Sequence, residues 1–103
     1  MKVELLVVDA CPNEAPARGA LRRALKQAGI NESIDTVIIR DANEAEVRGF
    51  VGSPSFYLDG RDLFPAPETH PGLACRVYRA EAGLRGVPAD HVLTATLEER
   101  AAH

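Results

Sequence analysis

The sequence contains no tryptophan, only two cysteines, and no run of lysine and arginine residues. Nucleic-acid-binding domains usually carry a stripe of basic residues. This chain has a formal net charge of −3 and no such stripe, so it lacks the charge pattern of a nucleic-acid-binding domain. No apolar run approaches the roughly 18 residues that a membrane-spanning helix needs. Two cysteines are too few for the disulfide framework of a small secreted protein. These absences argue against nucleic-acid and membrane partners.

Length and apolar content are sufficient for one domain. The chain has 103 residues, of which 46% are hydrophobic, so a core can form without metal or disulfide staples. The N-terminus has one lysine and a short strand-like run, which is not the pattern of a signal peptide. We therefore expect a single domain over residues 1–103, in the cytoplasm and without a cofactor.

Hydrophobic periodicity predicts that strands and helices alternate in the first part of the chain. A nearly continuous apolar run over residues 3–8 predicts a strand that is buried on both faces. From Ala17 the apolar residues recur every three or four positions, which predicts an amphipathic helix ending at Gly29. The apolar residues between Ile34 and Ile39 predict a second buried strand.

The middle of the chain carries cap and turn signals. Asp41 followed by Glu44 fits a capping box, so a short helix to about Phe50 is expected. Asp59-Gly60 between two apolar runs is a strong hairpin signal. The two predicted hairpin strands cover residues 55–58 and 61–64.

The last third of the chain is harder to assign. We expect residues 65–87 to be irregular, and the pattern over 73–79 leaves a short helix and an extended segment open. Pro88 opens a final helix with Val92, Leu93, Thr96 and Leu97 on one face. The predicted order is β-α-β-α-β-β-α, which gives an α/β domain with a four-stranded mixed sheet and helices on both faces.

Short motifs add a family resemblance to this element order. Ala10-Cys11-Pro12-Asn13 lies between the first strand and the first helix, and Gly52-Ser53-Pro54 directly precedes the third strand. A Gly-Leu-Ala-Cys-Arg segment follows the hairpin at residues 72–76. With these motifs most of the chain resembles the thioredoxin-like superfamily. It is most similar to small bacterial thioredoxin-like proteins with a Cys-Pro-Asn start, some of which carry an alkylmercury-lyase-like label.

The resemblance implies a thioredoxin-like fold of glutaredoxin size, with a cis-proline at Pro54 beside a reactive Cys11. It also implies that Pro12, Ser53 and Pro54 border the substrate. The chain departs from the family pattern at two positions, because Glu14 stands where a dithiol member has its second cysteine and an alanine replaces the aromatic residue before the first. A Cys-x-x-Cys mechanism is therefore excluded.

Cys11 is the main candidate for a reactive group. Free N–H groups and the dipole at a helix N-terminus stabilise a thiolate. The position of Cys11 at a strand end before a proline turn favours an exposed, reactive thiol over a buried structural cysteine. If Asn13 is the N-cap, Cys11 lies two residues outside the helix and this effect is smaller. Glu14 either complements the helix dipole or acts as a general base.

Cys75 is the second candidate. The predicted strand order returns the end of the hairpin, near Phe64, to the sheet edge that holds Cys11. Cys75 is therefore either a thiol that resolves a mixed disulfide on Cys11 or a small buried hydrophobe between Leu73 and Val77.

The residues around the two cysteines suggest how a substrate is held. A cis bond before Pro54 would expose the backbone of Ser53, so that an extended substrate could pair with it as an added strand. Arg76 and Arg79 are candidates for steering an anionic thiol. His70 with the two cysteines gives only a weak signal for a soft-metal site, so we expect no metal.

These features predict thiol–disulfide exchange through Cys11, with a thiol or disulfide of a protein or of a small molecule as partner. One alternative is a binding module that kept the fold and lost catalysis, which the missing Cys-x-x-Cys favours. Another is a thiol trap for soft metals or organomercurials, for which Asp9 is the only nearby acid.

Overall fold

The computed structural model describes residues 1–80 and 83–102, which form an α/β domain. Within these residues there are three helices and six short strands. In chain order they are β1 (Val3–Val7), α1 (Glu14–Gln27), β2 (Ile34–Ile38), α2 (Ala42–Arg48), β3 (Ser55–Leu58), β4 (Arg61–Asp62), β5 (Tyr78–Ala80), β6 (Gly83–Arg85) and α3 (Asp90–Ala101). None of the helices in the described part of the chain has the length and apolar character needed to cross a membrane.

Four of the strands form one mixed sheet in the order β2-β1-β3-β4. β1 runs parallel to β2, with Val3 opposite Ile34, and antiparallel to β3, with Leu6 opposite Ser55. β3 and β4 form the predicted hairpin, in which Asp59 and Gly60 both have positive φ. The predicted α/β class and four-stranded mixed sheet are confirmed.

The sheet buries apolar side chains on both faces, as predicted. On one face β1 and β3 pack against α1 and α3, and the largest buried members there are Leu5, Leu21, Phe56, Leu93 and Leu97. On the other face Leu6 and Tyr57 pack against the α2 region, with Ile39, Ala45 and Phe50. Because successive residues of a strand face opposite sides, Leu5 and Leu6 enter different cores.

The starts of α1 and α2 follow from proline and capping signals in the sequence. α1 begins at Glu14, three residues before the first residue of the apolar period, with Pro16 in its first turn. The capping box of α2 is confirmed, since Asp41 Oδ1 accepts from the Glu44 N–H at 2.8 Å. The Glu44 carboxylate reaches back to the N–H of Arg40 at 3.2 Å.

Three predictions about the strands and the last helix are wrong. β2 is the outer strand and no residue within its bounds is buried, because an apolar run alone does not tell a central strand from an edge strand. β4 ends at Asp62, where the side chain accepts from the Phe64 N–H at 2.9 Å in place of a further strand pair. On α3 only Leu93 and Leu97 are buried, and Val92 is exposed.

The segment predicted as irregular contains a second hairpin. β5 and β6 pair antiparallel, with Tyr78 opposite Arg85 and Arg79 opposite Leu84. The sequence has no Asn-Gly or Asp-Gly signal here, which is why the hairpin was not predicted. Tyr78 turns inward, and its ring packs edge-to-face against Phe56 at 5.9 Å and Phe64 at 5.3 Å between centroids.

A buried ion pair ties this second half of the chain to the main sheet. Arg76 is only 9% exposed, and its Nη1 lies 2.7 Å from Asp62 Oδ2 and 2.9 Å from Ser55 Oγ. Its Nη2 donates to the C=O of Phe64, and the guanidinium lies over the Tyr78 ring. Burial raises the pKa of Asp62, although Arg76 and the Phe64 N–H oppose that shift.

Replacing Arg76 tests this anchor. Arg76→Ala leaves Asp62 buried without its counter-charge, so we expect the free energy of unfolding to fall by about 3–5 kcal/mol in urea denaturation. Arg79→Ala is the matched control, because Arg79 is the same residue type three positions away and is exposed. It should change the free energy of unfolding by less than about 0.5 kcal/mol. Equal midpoints for the two variants would contradict the role given to Arg76.

Candidate functional site

Cys11 lies in the connection between β1 and α1. The strand ends at Val7, Ala10 adopts a positive φ of 57°, and the C=O of Cys11 accepts from the Glu14 N–H at 3.2 Å. Asn13 is the N-cap of α1 and caps it with no side-chain hydrogen bond. Cys11 therefore lies two residues outside the helix. Its side chain is half-buried against the main core, so the prediction of an exposed thiol is wrong.

The neighbours of Cys11 on the helix side have structural partners. Glu14 is paired with Arg18 at 2.5 Å, one helical turn further on. This ion pair supports a structural role for Glu14 rather than that of a general base. Asn13 packs against Gly86, where an added Cβ would lie 2.3 Å from Asn13 Nδ2. The loop before α3 thus forms a wall beside the start of α1, which the sequence did not predict.

The peptide bond between Ser53 and Pro54 is cis, as predicted. Both residues are buried. Ser53 Oγ accepts from the N–H of Val8 at 3.1 Å, and the C=O of Pro54 accepts from the Tyr78 hydroxyl at 2.5 Å. Burial raises the pKa of Tyr78, which keeps this hydroxyl a donor. The cis-proline turn is thereby fixed to the chain segment that leads into Cys11.

The backbone of Ser53 is not free. Its N–H donates to the C=O of Ala74 at 2.8 Å, and its C=O accepts from the N–H of Arg76 at 2.9 Å. These two bonds make a parallel bridge in which Cys75 is the partner of Ser53. The expectation that an extended substrate pairs with the exposed backbone of Ser53 is therefore wrong, because the chain's own residues occupy that position.

Residues 75–79 form an extended segment with alternating exposure, whereas Leu73 and Ala74 before it are both exposed. Arg76 and Tyr78 are buried, whereas Leu73, Cys75 and Val77 are exposed. Alternation of this kind is typical of a strand, so the open assignment over this segment resolves as extended. The alternative of Cys75 as a buried core hydrophobe is wrong, and Leu73 and Val77 do not anchor it to the core.

Ser53 joins the two cysteine-bearing segments. Its side chain contacts Val8, three residues before Cys11, and its backbone pairs with the segment around Cys75. Both cysteines are free thiols.

Other predicted site residues lie elsewhere or have other roles. Arg76 does not steer an anionic thiol, because its guanidinium is buried and bound to Asp62. Arg79 and Pro12 are exposed, and His70 is exposed in the proline-rich turn. In the described parts of the chain, no three His, Cys, Asp or Glu side chains are grouped so that they could hold a metal ion.

Arg76 is the residue of this site that sequence reasoning misjudged most. An arginine between two apolar residues in an unassigned segment reads as a surface charge. The alternation of Cys75, Arg76, Val77 and Tyr78 contained the signal, since it puts Arg76 and Tyr78 on one face.

Comparisons of the chain with protein-family models, curated proteins and solved structures found no match.

Gly52 allows the close approach of the Cys75 segment, and its replacement tests that contact. It has a φ of 149°, and an added Cβ would lie 2.9 Å from the Cβ of Arg76. Gly52→Ala should therefore push the segment away from Ser53 and lower the free energy of unfolding by about 1–3 kcal/mol. Hydrogen exchange at the Arg76 amide, which donates to Ser53, should become faster.

Gly72→Ala is the control for this variant. No heavy atom outside its neighbours lies within 4 Å of a Cβ built at Gly72. In the Gly72→Ala variant, the Arg76 amide should exchange at the same rate as in the parent chain. Unchanged exchange in Gly52→Ala as well would show that the segment does not depend on the glycine.

Proposed function

We propose that this chain is a thioredoxin-like thiol protein that carries out thiol–disulfide exchange through Cys11, with Cys75 as the resolving thiol. The observation that carries the proposal is the pairing of Ser53 with the Cys75 segment, while the Ser53 side chain bonds the segment that leads into Cys11. Both cysteines of the chain thus belong to segments that meet at one residue.

The thioredoxin-like assignment has three supports. The main sheet and its helices follow the order β-α-β-α-β-β-α, with an added hairpin before the last helix. Cys11 follows the first strand and precedes the first helix. A cis-proline, Pro54, directly precedes β3. A fold of this kind serves many functions, so the proposal depends on the thiols themselves.

The proposed reaction has two exchange steps. The Cys11 thiolate attacks one sulfur of a substrate disulfide, which forms a mixed disulfide and releases the other sulfur as a thiolate that takes a proton from water. The Cys75 thiolate then attacks the sulfur of Cys11, which forms an intramolecular disulfide and releases the second substrate thiolate. The substrate gains two electrons and the protein loses them, and a low-molecular-weight thiol such as glutathione restores the two cysteines.

Access around Cys11 bears on the class of substrate. Cys11 is half-buried, Ser53 and Pro54 are buried, and Pro12 beside them is exposed. We propose that the exposed Pro12 borders the substrate disulfide, whereas the buried Ser53 and Pro54 hold the chain segment before Cys11 in place. A disulfide of a protein or of a small thiol fits the chemistry, and a cytoplasmic location remains part of the proposal.

One observation favours a second candidate, a binding module without catalysis. The Cys75 segment fills the backbone position on Ser53 that an extended peptide would need. A chain with that position filled keeps the cis-proline turn as a structural element. In that case the thiols take no part in function.

Single cysteine variants separate the two candidates. In a single turnover of the reduced protein with oxidised glutathione and no added thiol, Cys11→Ser should abolish disulfide reduction, because no mixed disulfide forms at position 11. Cys75→Ser should accumulate one glutathione per chain on Cys11, because no second thiol releases it. Intact-protein mass spectrometry and peptide mapping measure both results.

The fold of each variant is checked by circular dichroism, and Arg61→Ala, which changes an exposed arginine on β4, serves as a control with both thiols intact. Unchanged reduction in both cysteine variants would remove the thiols from the mechanism. The binding module would then be the function that remains.

A further inference from the structure

The outer edge of β2 is an unpaired strand edge. β2 pairs with β1 in one continuous register over five residues, and within the described chain no strand lies on its other side. The Ile39 N–H donates to the Val7 C=O, so alternate residues of the strand bond to β1. The N–H and C=O groups of Ile34, Thr36 and Ile38 therefore point outward.

This edge lacks most of the features with which proteins usually block strand addition. Natural edges carry charged side chains, especially lysine, or proline or bulges, or are very short. The sequence Ile-Asp-Thr-Val-Ile contains no lysine or proline, no bulge interrupts its register, and its one charged residue is Asp35. Its β-branched residues favour a strand that is ready to pair.

A groove lies beside the N-terminal end of β2. It has a volume of about 570 Å³ and runs between the C-terminal half of α1 and the α1–β2 loop. Leu25, Ile30 and Ile34 give it an apolar floor. No aromatic side chain is among its lining residues, so it offers no platform for stacking a base.

Three cations line the helix side of the groove. Arg18, Arg22 and Lys26 lie four residues apart on α1. Arg18 is held by Glu14 and Thr36, whereas Arg22 and Lys26 have no ion-pair partner in the described residues. The one carboxylate among the lining residues, Glu32 on the loop side, lies 3.6 Å from the N-terminal ammonium, so the helix side is a basic wall on a chain whose formal net charge is −3.

The spacing of these cations matches an extended chain. A helix rises about 6 Å over four residues, whereas an extended strand advances about 6.7 Å over two. Every second side chain of an added strand would thus meet the next cation along α1. Acidic residues at alternate positions are the side chains that complement this wall.

We propose that the β2 edge and this groove bind an extended acidic peptide segment of a partner protein, which adds to the sheet as a fifth strand. Its backbone bonds the outward groups of Ile34, Thr36 and Ile38. Its alternate carboxylates face Arg22 and Lys26. The inference is independent of the thiol chemistry.

Fluorescence anisotropy with a fluorescein-labelled decapeptide of alternating glutamate and valine tests the proposal. The parent chain should bind it, and Arg22→Glu with Lys26→Glu should weaken binding by about tenfold or more, because two attractive contacts become repulsive. Arg79→Glu with Arg85→Glu is the matched control, with the same charge change on exposed residues of β5 and β6. It should bind as the parent does.

Two further measurements separate strand addition from simple charge attraction. Two peptides, one N-methylated at every valine and the other at every glutamate, each lose half of their backbone donors, and the one whose methyl groups face β2 should not bind. Amide chemical shifts of the parent chain should change at Ile34, Thr36 and Ile38 when the unmodified peptide is added.

Several results would overturn the proposal. These are no binding to the parent chain, equal weakening in the two charge-reversal variants, and undiminished binding of both N-methylated peptides. Tighter binding of a single-stranded RNA oligonucleotide that is lost in the Arg22, Lys26 variant would make the groove a polyanion site instead.

Discussion

The arrangement of the candidate site depends on one buried ion pair, between Arg76 and Asp62. Removing two charges from water has a large free-energy cost, and burial raises the pKa of Asp62 even with an arginine beside it. The pair is tolerated because Ser55 and the C=O of Phe64 take further donors of the guanidinium. In the described residues no buried side-chain nitrogen or oxygen lacks a partner.

The position of this pair explains why Cys75 is exposed. The arginine enters the interior behind β3 and β4, and the alternation of an extended chain then directs its neighbour outward. The ion pair thus holds the backbone of residues 74–76 against Ser53 and turns the thiol toward solvent. Gly52 completes the contact, since the position next to Ser53 has no room for a side chain.

The sequence predicted most of the main sheet and little of the second half of the site. The apolar run of β1, the Asp41 capping box and the Asp59-Gly60 hairpin are local signals, and each was confirmed. The cis bond before Pro54 was predicted from the Gly52-Ser53-Pro54 motif and not from a physical rule. The position of Cys11 between β1 and α1 was predicted correctly. Its half-buried side chain was not predicted, because burial depends on residues far away in sequence.

Two of the failures share a cause. The exposure of β2 and the burial of Arg76 are set by contacts between distant segments, whereas the β5–β6 hairpin is a local pairing without an Asn-Gly or Asp-Gly signal. The residues next to a position in sequence do not indicate which distant segment will pack over that position. The bridge between Ser53 and Cys75 is the clearest example, since neither residue has a neighbour that indicates the other.

The same bridge has a consequence for how the chain can vary in length. Ser53 and Cys75 join the two ends of a stretch that contains β3, β4 and the proline-rich turn, and Glu68, Thr69 and His70 at the tip of that turn are exposed. The entropy of closing a flexible loop grows only slowly with its length, by about 0.6 kcal/mol for each doubling. Insertions at the tip should therefore leave the bridge intact, so that homologues can carry different loops there on one unchanged framework.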